Sequence, residues 1–334
     1  MPRKRKPNIK LSQSRNKSMG PFSLKFTSRT VNTWKDFIDL YSEEFYRGSF
    51  IFRGQAIEAT CPWKFQTELE RAWLRVAGTS SARKKDRDRR ALREKLEGRT
   101  IWEIETGLIR EFKRKSSLYL NRSKPEHRLE WLALMRHYGA PTRLLDWTYS
   151  FYVAAFFSLI ECSSTRPATI WALDVKWVES QMSTTKVPEG SDGNLWDILF
   201  KDVHLENPCT WEMYFTGRYS FVLPVNPFAL NKRLTIQQGL FLCPGNISIP
   251  FEDNLATRQK GDPNSANALI RIKLDLNTTA KKDFLRHLYR MNITKASLFP
   301  GLQGFAQSLS MRLLFPKALA AKSSFDANAS ASAQ

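Results

Sequence analysis

The chain has 334 residues, 42% of them apolar and 12% aromatic, which excludes a disordered or fibrous protein and allows one large core or two modest ones. Its 52 Lys and Arg against 32 Asp and Glu give a net charge of +20, more than solubility requires, and so point to a polyanionic partner. The four cysteines, Cys61, Cys162, Cys209 and Cys243, form no C-x-x-C pair and have no His at ligand spacing, which argues against a disulfide framework and a zinc site.

Nine basic residues and no acidic one lie between Met1 and Arg29, leaving +11 for the rest of the chain. From Pro2 to Gly20 there is too little apolar surface to offset ordering, so residues 1–20 are expected to form a disordered basic arm that contacts phosphates or is merely solvated. No apolar stretch follows the basic start, and the expected location is the cytoplasm. Thr33 to Tyr46 places Trp34, Phe37, Ile38, Tyr41 and Phe45 on one helical face with Thr33 as N-cap. Ser49 to Arg53 reads as a short strand ending at Arg53, closed by Gly54. Ala82 to Arg99 carries charges of both signs on strong helix formers, the pattern of a solvated helix. Trp102 to Lys113 continues with Ile104, Leu108, Ile109 and Phe112 on one side and Arg110, Lys113, Arg114 and Lys115 on the other. That basic face is either a solubilising one or a track for a nucleic-acid backbone.

Leu129 to Tyr138 is a helix stopped by Gly139 and Pro141. Asp146 or Thr148 is expected to cap the next helix, which is apolar nearly all round through Glu161 and belongs in the core. The uncharged run from Trp147 to Ile160 is shorter than the roughly 20 residues that cross a bilayer. Strands are expected at Thr169–Val175, Tyr219–Val225, Leu240–Leu242 and Ala268–Lys273, a helix at Leu276–Tyr289, then a loop holding Phe299, Pro300 and Gly301. The mixture gives an α+β class. Residues 317–334 read as a disordered Ala/Ser-rich tail, and no internal repeat is visible.

Four segments carry most of the polar signal: IFRGQ at 51–55, EWLALMRHYGAPTRLLDWT at 130–148, RLTIQQGLF at 233–241 and ITKASLFPGLQGFAQSL at 293–309. In order and content they resemble the FRG-domain family, named for the triplet that stands here as Phe52, Arg53 and Gly54, and the resemblance implies one domain over residues 30–316. One departure is Arg136, which stands where many members have Gln before the His-Tyr-Gly triplet.

No Walker A loop, G-x-G-x-x-G, G-x-S-x-G or H-E-x-x-H occurs. Arg53 beside Gly54 suits a bidentate phosphate clamp, with Gly admitting close backbone approach. His137 and Tyr138, before the turn at Gly139, suit a pocket that stacks a flat ring, with Arg143 nearby. In order and residue type this set is similar to ADP-ribosyltransferases, which implies a mixed, mainly antiparallel sheet flanked by helices and NAD as substrate. Catalytic candidates are then Gln238 on a later strand and the carboxylates Asp146 and Glu105, the latter expected to face water. Packing alternatives stay open: Arg53 paired with Asp146, Arg143 paired with Asp146 across the turn, His137 and Tyr138 as satisfied buried polar groups, Gln237 and Gln238 as a sheet-edge pair, and Trp147 as core. Two functions compete: an NAD-dependent ADP-ribosyltransferase acting on RNA or DNA as a toxin or phage-defence effector, with an antitoxin as a further partner, and a non-catalytic nucleic-acid-binding or assembly module.

Overall fold

The computed structural model describes residues 24–56, 65–78, 85–119, 125, 127–160, 168–184, 215, 219–227 and 231–312. The basic arm at 1–20, the tail at 317–334 and Cys61, Cys162 and Cys209 lie outside the described residues.

Seven strands make one mixed sheet: β1 (Thr27–Val31), β2 (Phe50–Ala56), β3 (Leu145–Thr148), β4 (Ala168–Asp174), β5 (Val222–Val225), β6 (Gly239–Pro244) and β7 (Leu269–Leu274), in the order β1-β7-β4-β2-β3-β6-β5. Only β1 and β7 run parallel; the other neighbours are antiparallel. The helices are α1 (Trp34–Leu40), α2 (Glu68–Val76), α3 (Lys85–Arg93), α4 (Ile101–Ser116), α5 (Arg128–His137), α6 (Phe151–Ile160), α7 (Val175–Ser183), α8 (Lys232–Ile236), α9 (Phe251–Arg258), α10 (Ser265–Ala268), α11 (Thr278–Arg290), α12 (Lys295–Leu298) and α13 (Leu302–Arg312). The class is α+β.

The sheet buries both faces, because successive side chains of a strand point to opposite sides. In β2, Ile51 joins one core with Trp147 and Trp171, while Phe52 joins the other with Phe151 and Ile272. The second core is covered by α1, α6 and α11. Thr33 caps α1 in a reciprocal capping box with Asp36, and the helix runs on into a π-helical turn at Tyr41–Phe45. Its Phe37 stacks on Phe151 with ring centroids 4.3 Å apart. Each such fully buried ring contributes about 1.5–3 kcal/mol relative to exposure.

Three local expectations are corrected. Strand β2 continues through Gly54 to Ala56 in register with β4, so Arg53 sits mid-strand. Asp146 does not cap α6, because it is consumed by β3. Ser150 does so instead: its hydroxyl accepts from the Val153 N–H at 3.2 Å, while Thr148 Oγ1 accepts from the Ser150 N–H at 3.0 Å and donates to the Gln237 carbonyl. The charged segment before Arg99 is not a fully solvated helix: α3 ends at Arg93, buries Ala91 and Leu92, and sends Arg89 to the buried Asp253 at 2.7 Å.

Gly54 is a packing glycine. A Cβ there would lie 1.9 Å from the Ala154 carbonyl oxygen and 2.6 Å from the Ser158 nitrogen, both backbone atoms of α6. Only glycine lets this helix lie so close on β2.

Candidate functional site

A cleft of about 170 Å³ opens between the end of α5, strands β3 and β6, and helix α8. Helix α5 supplies Arg136 and His137, and Gly139 follows in the left-handed conformation (φ 82°) that ends the helix. Strand β3 supplies Asp146, directly opposite Phe241 of β6. Asn231, Arg233, Leu234 and Gln237 close the cleft from α8 and its ends.

Asp146 is the one carboxylate lining the cleft, and its side chain stays 46% accessible. Arg136 grips it bidentately, with Nε donating to Oδ1 at 3.2 Å and to Oδ2 at 3.1 Å, and Nη2 donating to Oδ2. Arg53 Nη1 donates to the Asp146 backbone carbonyl at 2.5 Å. Burial in the concave site works against ionisation of Asp146, but the Arg136 guanidinium outweighs it, with Arg53 and Arg233 adding to the field, and holds the carboxyl below its usual range. The aspartate is therefore ionised at neutral pH. Around this carboxylate stand three guanidinium groups, and even with Glu68 3.8 Å from Arg136 as a second acid the cluster keeps a cationic surplus suited to an anionic ligand.

The expected site residues divide into three groups. Arg53, His137 and Asp146 come together at the cleft. Tyr138 caps α5 beside it, its ring edge-on to His137 with centroids 4.9 Å apart and 59% exposed. Gln238 is exposed outside the lining, held at φ 47° where α8 turns into β6, and its carbonyl accepts from the Tyr149 N–H. Its neighbour Gln237 faces the cleft and donates from Nε2 to the Leu298 carbonyl at 3.0 Å.

Glu105 and Arg143 form a separate buried pair, contrary to the expectations that Glu105 faces water and that Arg143 pairs with Asp146. Both side chains have 0% exposure. Arg143 donates from Nε and Nη2 to the Glu105 carboxylate, and from Nη1 to the carbonyls of Phe215 at 3.1 Å and Pro244 at 3.4 Å. The pair ties α4 to the loop before β3 and to the end of β6. A strand at 145–148 removes the turn that the three-residue spacing of Arg143 and Asp146 had suggested, and Arg143 faces the core instead. Gly54 likewise meets α6 and not a ligand.

A family model for the FRG domain matches residues 48–166. The chain carries an FRG domain. The match runs from the start of β2 past α6, so the FRG domain contributes Arg53, Arg136, His137 and Asp146, whereas Asn231, Arg233, Leu234 and Gln237 come from later in the chain. Comparison with curated proteins and with solved structures finds no match. Arg136, Asn231 and Arg233 had no assigned role in the sequence. Arg136 was visible as a departure from the FRG pattern, and Arg233 opened a recognised segment. Among the described residues no helix is long and apolar enough to cross a membrane, and no group of three or more His, Cys, Asp or Glu side chains converges as a metal-ligand set.

Proposed function

We propose that this chain is an NAD-consuming ADP-ribosyltransferase that modifies nucleic acid in the cytoplasm, as a toxin or phage-defence effector restrained by an antitoxin. The observation that carries the reading is the ionised, accessible Asp146 set among Arg136, Arg53 and Arg233. In the proposed reaction the bond between C1′ of the ribose and the nicotinamide nitrogen breaks, its electron pair leaving with neutral nicotinamide. A lone pair of the nucleic-acid acceptor forms the new bond to C1′, and the acceptor's proton passes to water. Asp146 is too acidic to be a strong base, and its role is to stabilise the cationic ribose in the transition state. Arg136 and Arg53 are positioning residues that fix the carboxylate and the strand bearing it. Tyr138 offers an exposed ring at the rim for the nicotinamide. Gln238 is not needed for this chemistry.

Nucleic acid would be drawn by the net charge of +20 and by the exposed Arg110 and the Arg114–Lys115 end of α4, although the latter two share Glu111. The second reading, a binding module without chemistry, is favoured by the volume of the cleft: about 170 Å³ takes a ribose-phosphate portion and leaves the bases outside. Incubating the purified chain with NAD and single-stranded RNA or DNA separates the two. Nicotinamide release with ADP-ribose on the nucleic acid supports the transferase; salt-dependent binding without turnover supports the module.

A further inference from the structure

Of the three guanidinium groups around Asp146, two are committed to it: Arg136 through its carboxylate and Arg53 through its carbonyl. Arg233 is not. Its guanidinium sits over the Phe299 ring, with Cζ 4.5 Å from the centroid, and among the described residues it donates no hydrogen bond and makes no ion pair. It lines the cleft near enough to Asp146 and Arg136 to feel both charges. Beside it, Asn231 spends its Oδ1 on the Leu234 N–H at 2.8 Å as the cap of α8, which turns its amide NH₂ toward other partners. Below it, Gln237 is tied by Nε2 to the Leu298 carbonyl, the residue before Phe299. The segment after α11 thus holds α8 from beneath and seats the Arg233 guanidinium over Phe299.

A guanidinium that is partly desolvated, seated over an aromatic face and lining a cavity with its N–H donors unspent is prepared for an oxyanion that offers two or more oxygens to its fork. A surface arginine serving only solubility would be free to rotate into water. We infer that Arg233, oriented by Phe299, is the residue that holds the diphosphate of a nucleotide in this cleft, with the Asn231 amide as its second donor. Phe299 acts through Arg233 as a positioning residue. The inference rests on the nucleotide reading of the cleft, but it concerns binding and not turnover.

Titration calorimetry on the full chain tests it, with inorganic pyrophosphate, ADP-ribose and the phosphate-free adenosine as probes and thermal unfolding as a check on each variant. Arg233→Lys keeps the charge but loses the planar fork, and is expected to weaken pyrophosphate and ADP-ribose at least tenfold while leaving adenosine unchanged. Phe299→Leu should weaken the same two ligands several-fold, and Phe299→Tyr should restore them. In Arg233→Lys the Phe299→Leu change should add nothing further. Arg110→Gln on α4 is the control for diffuse attraction to a basic protein. Undiminished pyrophosphate binding in Arg233→Lys overturns the inference, as does an equal loss in Arg110→Gln or a parent chain that binds neither phosphate ligand. A chain that binds ADP-ribose through Arg233 yet releases no nicotinamide from NAD leaves this inference standing and removes the transferase reading.

Discussion

The buried pair of Glu105 and Arg143 gives a sharp test of which carboxylate does what. In Glu105→Gln the size of the side chain is kept and its charge is lost, while Arg143 stays at 0% exposure, still donating to the Phe215 and Pro244 carbonyls but without the carboxylate that balances its charge. Arg128, whose Nη2 is 3.9 Å from Glu105, adds a second cation to the same pocket. Removing one partner of such a pair costs about 3–5 kcal/mol, because the other charge is stranded in the interior. Against a total stability of about 5–15 kcal/mol that is a large fraction, and it should lower Tm by roughly 10 °C. Replacing both residues, as in Glu105→Gln with Arg143→Met, should cost less than the two single changes added together. Thermal unfolding and nicotinamide release would be measured on the same preparations, with activity expressed per folded molecule. The structure predicts lost stability and unchanged specific activity. A Glu105→Gln protein as stable as its parent but catalytically dead would refute this reasoning and return Glu105 to the catalytic candidates.

Two further outcomes follow from local geometry. Gly54→Ala should cost about 3 kcal/mol or more, since its methyl group must separate β2 from α6 against backbone atoms, and a circular-dichroism melt within 1 kcal/mol of the parent would contradict the close approach. Glu70 is buried between α2 and the start of α9, where desolvation pushes its carboxyl up to about 8 despite N–H bonds from Thr67 and Phe251. A raised acid binds its proton more tightly in the folded state, so its contribution is full below about 4.5 and is lost as pH rises through about 8. Tm should therefore decline across that window, and Glu70→Gln should flatten the decline; an unchanged slope in the variant would show that Glu70 is not its source.

The sequence was most readable where local physics decides. The Thr33 cap, the Gly139 stop, the all-apolar α6 and the strands β4, β6 and β7 each follow from periodicity or from one special residue. Strands β1 and β3 were not anticipated: TSRTV is polar at four of five positions, and LDWT has four residues next to a proline turn. Charge pairing was the least readable layer. Arg136, Arg143, Arg53 and Arg233 are chemically alike, and only the fold assigns Arg143 to Glu105, Arg136 to the Asp146 carboxylate, Arg53 to its carbonyl and Arg233 to the face of Phe299. The spacing of Arg143 and Asp146 suggested a turn because nothing local revealed that β3 begins at Leu145.

The central claim is that Asp146 is the catalytic carboxylate, and it is tested most directly by the rate of nicotinamide release from NAD in Asp146→Asn. The side chain is 46% accessible and the change is isosteric, so losing its bridge to Arg136 should cost only about 1 kcal/mol of stability. Removing an electrostatic stabiliser of the transition state should slow release by about 10²–10³-fold. The account predicts a folded, stable variant that scarcely releases nicotinamide while the parent does; an Asp146→Asn protein that releases it at the parental rate, or a parent that releases none, would contradict it.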